Sequence, residues 1–200
     1  MMLMNLTEIL NAQVLLVCDD LDDLIAAVAQ CIAELATQAI TSLSAFQIAL
    51  GGETPFQCYL KLRDLSINWP PLHIYFGGEL CLPDSSSAHK QRSIVHHYCA
   101  ILCRRTWRML GMDKDVHTAG LFLGNPTINR LGRGCICTKP PAERVTMCMK
   151  TLIRARQKIF LVAGAGKRAV LEWILLGDSL PAASVTAAEW HFDRAALPGH

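Results

Sequence analysis

Short apolar runs alternate with amphipathic stretches from near the start of the chain to near its end, and that alternation restricts the fold more than any other feature. "AQVLLVCDD" has too few polar positions to face water on either side, so it predicts a strand buried on both faces, the habit of a parallel sheet. It leads into a helix capped by Asp19 or Asp20. Leu21, Leu24, Ile25, Val28, Cys31, Ile32 and Leu35 follow at i, i+3, i+4, i+7 spacing, a stripe that must pack on the sheet. The run "FQIAL", a Gly-Gly turn, a helix from Pro55 to Arg63 and the run "LHIYFG" make a strand, helix, strand unit. The last third repeats it with strand "KIFLVAG", a helix from Ala165 to Leu176, and strand "AEWHFD". Ser87 to Leu102 has helical periodicity. "TWRMLGM" has the length of a strand, although Arg108 falls in its middle. "GCICTK" and "RVTMCM" predict two strands joined across "PPAE", since Pro140 and Pro141 bar a ladder or helix. The expected fold is α/β: three layers, α/β/α, around a mainly parallel, Rossmann-like sheet.

A 200-residue chain that is 52% apolar can bury one core, so residues 1–200 are expected to form a single domain. Its 19 basic and 17 acidic residues are interspersed and leave a formal charge of +2. No long-range field then favours nucleic acid or an anionic membrane, and an anionic ligand must be held by a local site. Nine cysteines, an odd set without a C-x-x-C pair, lie mostly in apolar segments and predict reduced core thiols in a cytoplasmic protein. "MMLMNLTEILNAQ" lacks the pattern of a signal peptide. No apolar stretch reaches about 18 residues, so no membrane span is expected. The chain is expected to be a monomer or a weak homo-oligomer.

Ligands in such folds bind at the carboxyl ends of strands. Four stretches fall there. In "ALGGETP", Gly51 and Gly52 let backbone approach a ligand, and the helix behind them aims free N–H groups at an anion, unless the pair is only a tight turn. "GGELCLP" offers Glu79. "DKDVHTAG" sets Asp115 two positions before His117, a spacing that can hold an imidazole ready to take a proton from water. "GAGK" places Lys167 on a strand end, a suitable point charge for phosphate or simply a solvated lysine. It is not a P-loop: Leu161 stands where the first glycine belongs and Arg168 where the Ser or Thr belongs. His89, His96 and His97 include no H-E-x-x-H pattern, so no metal is expected. Cys135 and Cys137 alternate onto one strand face, as core residues do.

In order along the chain, "IALGGETP", "INWPPLHIYFGGELCLP", "LGMDKDVHTAGLFLG", "TKPPAERVTM", "IFLVAGAGK" and "EWHFDRAAL" resemble the blocks of the 6-phosphogluconolactonase family, which belongs with the glucosamine-6-phosphate isomerases in one superfamily. The resemblance implies hydrolysis of 6-phospho-D-glucono-1,5-lactone to 6-phosphogluconate in the oxidative pentose phosphate pathway, on a small-molecule sugar phosphate and without a cofactor. It implies His117 as general base, Asp115 as its orienting carboxylate, Glu79 as a surviving charge of the second block, and a phosphate site from Gly51, Gly52, Thr54, Lys167 and Arg144.

The same blocks carry departures. The family's "GDER" is "GGEL", with Gly78 and Leu80 in place of a carboxylate and an arginine. Val116 stands for the glycine of "DGH"; if that position needs positive φ, the strain is roughly 1–3 kcal/mol. Asp113 and Glu53 add negative charge near the expected anion. Two unit charges about 4 Å apart at an effective dielectric near 20 repel by roughly 4 kcal/mol. The segment between the second and third blocks is short, which implies a sheet smaller than the family's usual one. Two further functions stay open: a catalytically impaired homologue that binds sugar phosphates or serves structurally, and a sugar-phosphate isomerase-deaminase.

Overall fold

A computed structural model describes residues 2–51, 56–80, 106–124, 134–138 and 144–199. In chain order the elements are α1 (Met2–Ile9), β1 (Val14–Cys18), α2 (Leu21–Leu43), β2 (Phe46–Leu50), α3 (Phe56–Arg63), β3 (Leu72–Phe76), β4 (Gly78–Leu80), β5 (Trp107–Gly111), β6 (Cys135–Thr138), β7 (Arg144–Met147), α4 (Met149–Ile153), β8 (Gln157–Val162), α5 (Arg168–Leu175) and β9 (Glu189–Asp193). Single 3-10 turns lie at Ala165–Lys167 and Arg194–Ala196. Six strands form one sheet in the order β1-β9-β8-β5-β2-β3, and every neighbouring pair is parallel. The expected α/β fold with a parallel sheet and flanking helices is therefore the one found.

Alternation along the strands builds two cores. Phe46, Ile48, Trp107, Met109, Ile159 and Leu161 face α2 and α3, where they meet Leu24, Val28, Ile32, Cys58 and Leu62. Ala49, Leu110, Phe160, Val162, Trp190 and Phe192 face the opposite layer of α1, α4 and α5. Both faces of the central strands are thus dry, the reason those strands read as nearly unbroken apolar runs. Burial pushes the Cys58 thiol up to about 12 and the Cys31 thiol to about 11, so both stay protonated and pack as apolar side chains.

The cap of α2, left open between two aspartates, is Asp20, whose side chain accepts from the Asp23 N–H at 2.9 Å. Asp19 instead accepts from Arg194, tying the start of this helix to the end of β9. At 23 residues, α2 is long and apolar enough to cross a membrane by length and composition, which corrects the expectation that no such segment exists. Its apolar stripe lies on the sheet, while Asp22, Asp23, Gln30 and Glu34 stay outside the buried set, the pattern of a core helix.

Other parts differ from the sequence expectations. The first helix, α1, has no counterpart there; Leu6 and the following Leu10 are fully buried, and the helix packs on α5. "GGEL" was expected as loop, yet Gly78–Leu80 is a strand that pairs antiparallel with β7, and β7 with β6, in a second sheet. "TWRMLGM" is a strand despite Arg108, which is buried and donates from Nη1 to the Met147 sulfur at 2.6 Å. In the next strand Lys158 is also buried; burial, then the charge of Arg108, hold its ammonium below the ordinary lysine range. The helix expected from Ala165 opens with one 3-10 turn before α5. The helical pattern at residues 87–102 lies outside the described residues.

"AEWHFD" is a strand, but its polar residues are also buried. Glu189 accepts from Gln157 Nε2 and faces His191 Nε2 at 3.4 Å, while Gln157 Oε1 accepts from the Trp107 indole at 3.2 Å. The hydrogen bond from His191 holds the Glu189 carboxyl below its ordinary value, against burial. A row of polar contacts thereby crosses three adjacent strands under α2.

Candidate active site

The carboxyl ends of β8, β5 and β2 are neighbours at the centre of the main sheet. Three of the expected loops therefore meet, although "GG", "DKDVH" and "GAGK" are far apart in sequence. Right after β2, Gly51 sits where an added Cβ would stand 2.7 Å from the Met109 carbonyl oxygen, so only glycine fits. Its N–H donates to the Tyr59 hydroxyl at 3.1 Å, and that hydroxyl donates back to the Gly51 carbonyl at 2.9 Å. Gly51 thus supplies close approach, while its own donor is already engaged. Gly52 and Thr54 lie outside the described residues.

The loop after β5 carries both Asp115 and His117. It closes on itself through Asp113 N–H to His117 O at 3.1 Å and Val116 N–H to Asp113 O at 3.0 Å, and Thr118 Oγ1 anchors it to Gly111 O at 2.7 Å. His117 Nδ1 contacts Asp115 Oδ1. An ionised carboxylate can only accept, so Nδ1 carries the hydrogen and Nε2 keeps a free lone pair. The imidazole is 15% exposed and stacks on Phe122 with ring centroids 4.7 Å apart, so one aromatic face and one carboxylate fix it while a part still meets solvent. An imidazole held in this way has the tautomer and the orientation that a general base for water requires.

Val116 has φ +62°, the left-handed conformation that its β-branched side chain resists. Replacing it by glycine should release roughly 1–3 kcal/mol of strain and forfeit about 0.4–1 kcal/mol to the unfolded chain. Val116 also packs against the core, so glycine gives up apolar burial as well, and the expected outcome for Val116→Gly is a melting temperature within about 4 °C of wild type, measured by thermal unfolding.

Lys167 ends the 3-10 turn after β8, and its Nζ donates to Asp113 Oδ1 at 3.0 Å. The expected phosphate cation is therefore already paired, by the residue that departs from the family's glycine. Burial raises the Asp113 carboxyl, but hydrogen bonds from Lys167 and the Lys114 N–H, with the charges of Lys167 and His117, outweigh it and hold the carboxyl below 3.8. The ion pair persists above that ordinary value and is lost as pH falls through the lowered one. Carboxyl-carbon NMR titration should place the Asp113 midpoint below 3.8, and Lys167→Met should return it toward 3.8.

Arg144 begins β7, and its guanidinium lies 5.9 Å from the centroid of the same Phe122 ring that supports His117. Glu79 is brought beside this region on β4, with its backbone paired to Val145. Sequence reasoning assigned no role to Asp193, the buried end of β9. Its carboxylate accepts from the Gly164 N–H at 3.0 and 2.9 Å and from the Ala196 N–H at 2.8 Å, holding the turn that presents Lys167. The aspartate of "EWHFDRAAL" was the available signal. Ligand atoms of Asp113, Asp115 and His117 lie within 4.8 Å of one another, so these three could hold a divalent cation.

With this geometry in view, the comparison with known families is decisive. The model of the glucosamine-6-phosphate isomerases/6-phosphogluconolactonase family matches residues 19–103 and 103–192. The chain belongs to this family. Among family relatives, the 6-phosphogluconolactonase of Rattus norvegicus is 38% identical over 98 residues, covering 44% of this chain and 38% of the relative. That of Homo sapiens is 36% identical over 99 residues, with the same coverage of 44% and 38%. The chain thus spans little more than a third of the length of these relatives in the match. The family fold is seen in the crystal structure of a 6-phosphogluconolactonase from Shewanella baltica, which superposes with a TM-score of 0.78 at 18% identity over 90% of this chain and 97% of that one.

Proposed function

We propose that this chain hydrolyses 6-phospho-D-glucono-1,5-lactone to 6-phosphogluconate, a step of the oxidative pentose phosphate pathway, with no cofactor. The observation that carries the proposal is the Asp115–His117 contact at the end of β5, one strand away from the loop of Lys167. Ester hydrolysis needs a base for water, an anchor for the substrate's anion, and donors for the oxyanion that forms.

His117 Nε2 takes a proton from water as its oxygen attacks the lactone carbonyl carbon. Asp115 stabilises the imidazolium that results, and the ring later returns the proton to the leaving ring oxygen. Lys167 and Arg144 attract the phosphate, with Gly51, Gly52 and Thr54 assigned to the same phosphate site and Glu79 to the catalytic set by the family resemblance. The relatives named 6-phosphogluconolactonase support this chemistry. The test follows phosphorylated lactone hydrolysis against its spontaneous rate. A clear acceleration is expected, and a trace equal to the spontaneous one rejects the proposal.

One observation favours a second function. Asp113 already neutralises Lys167, and Gly78 and Leu80 carry no charge where the family pattern has an aspartate and an arginine. A non-catalytic sugar-phosphate-binding homologue would then bind 6-phosphogluconate without turnover.

A further inference from the structure

We infer that Lys114 is an additional phosphate-binding cation of this site, seated there by the missing side chain of Gly166; the identity of its ligand rests on the lactonase assignment. Lys114 lies in the loop after β5 and is exposed, yet its stem crosses to the turn after β8. A Cβ on Gly166 would stand 2.5 Å from Lys114 Cε, 3.2 Å from its Nζ and 3.5 Å from its Cδ. The ammonium therefore sits beside the residue that precedes Lys167, and any side chain at Gly166 would displace it.

Charge explains what such a placement does. Asp113 and Asp115 supply two negative charges near His117, against which Lys167 alone leaves the loop ends net negative when the imidazole is neutral. A phosphate monoester with nearly two charges is repelled by that balance. Lys114 offsets one of those negative charges, and Arg144 over Phe122 another. A long lysine stem laid toward a second lysine also costs Coulomb energy unless an anion lies between or beside them. Asp113 balances Lys167, from whose Nζ its Oδ1 accepts at 3.0 Å, but from Lys114 it takes only the backbone N–H, at 2.9 Å. A ligand phosphate meets the rest of that need.

The experiment titrates 6-phosphogluconate by calorimetry into the wild-type protein and three variants. Lys114→Met keeps the apolar stem and removes the charge. Gly166→Ala keeps the charge and unseats the stem, at a position without positive φ where alanine's backbone fits. Lys114→Arg restores a cation. Loss of one charge-assisted contact should raise Kd about ten-fold in Lys114→Met and in Gly166→Ala, with Lys114→Arg within about three-fold of wild type. Binding should also lose part of its salt dependence in Lys114→Met, a change that a merely structural lysine would not produce. Wild-type affinity in Lys114→Met overturns the inference, as does weakening confined to Gly166→Ala. Turnover without any Lys114 effect removes this inference and leaves the lactonase assignment standing. Lys114-dependent binding without turnover does the opposite, and no binding by the wild type removes both.

Discussion

Replacing His117 by alanine is expected to lower kcat for the phosphorylated lactone by roughly 10²–10⁴-fold, the usual contribution of a positioned general base. On the proposed mechanism KM should change far less, because the imidazole, fixed by Asp115 and Phe122, would act on water while the proposed anchoring charges lie on other residues. Asp115→Asn should also reduce kcat, since an amide can donate to Nδ1 and so stabilise the tautomer that has no free Nε2 lone pair. Initial rates corrected for spontaneous opening of the lactone measure both effects. The ring is only partly buried, and its removal takes away one stacking contact with Phe122, so circular dichroism should show the alanine variant folded. Wild-type turnover in that variant would assign the proton transfer to another group.

The second large effect is on stability. Trp190 is 0% exposed in β9, stacked on Phe160 with centroids 3.9 Å apart and planes 7° from parallel, and on Phe192 at 5.9 Å. Truncation to alanine empties the centre of one core and should cost about 3–5 kcal/mol. For a domain whose net stability is on the order of 5–15 kcal/mol, that is a large share. Trp190→Phe should behave differently. Among the described residues the buried indole Nε1 has no hydrogen-bond partner, so phenylalanine removes an orphan donor that costs about 1–3 kcal/mol while leaving a smaller cavity than alanine does. Urea unfolding should therefore show most of the stability retained in Trp190→Phe and most of it lost in Trp190→Ala. Equal losses in the two would mean that ring volume alone governs the site and that the unpaired N–H costs nothing. Because β9 ends in Asp193, which holds the Gly164 turn, the alanine variant should also loosen the loop that presents Lys167.

Much of the scaffold was legible because it depends on local periodicity. The stripe from Leu24 to Ile32 declared α2, and the unbroken runs at 46–50 and 157–162 declared strands covered on both faces. Their carboxyl ends pointed to Gly51 and Lys167, and the end of the run at 107–111 to His117, since the turns after buried strands are where backbone and ligand can approach. The strand of Gly78–Leu80 was hidden because three residues carry no readable alternation, and its partner β7 lies more than sixty residues along the chain. Arg108 argued against burial by composition alone, yet the Met147 sulfur on another element accepts from its Nη1, and the buried Lys158 donates to the Ile153 carbonyl.

By itself, the order of apolar runs and turns determined the parallel α/β architecture and the loops in which chemistry could sit, because side-chain periodicity dictates which face each element must bury. Only the tertiary structure decided how the charges in those loops are spent. Strand order brings Asp113 to Lys167 across 54 positions and lays Lys114 over Gly166, and neither contact has a signature in local sequence. Electrostatic partners are chosen by distance in space, which follows from how the strands are ordered in the sheet.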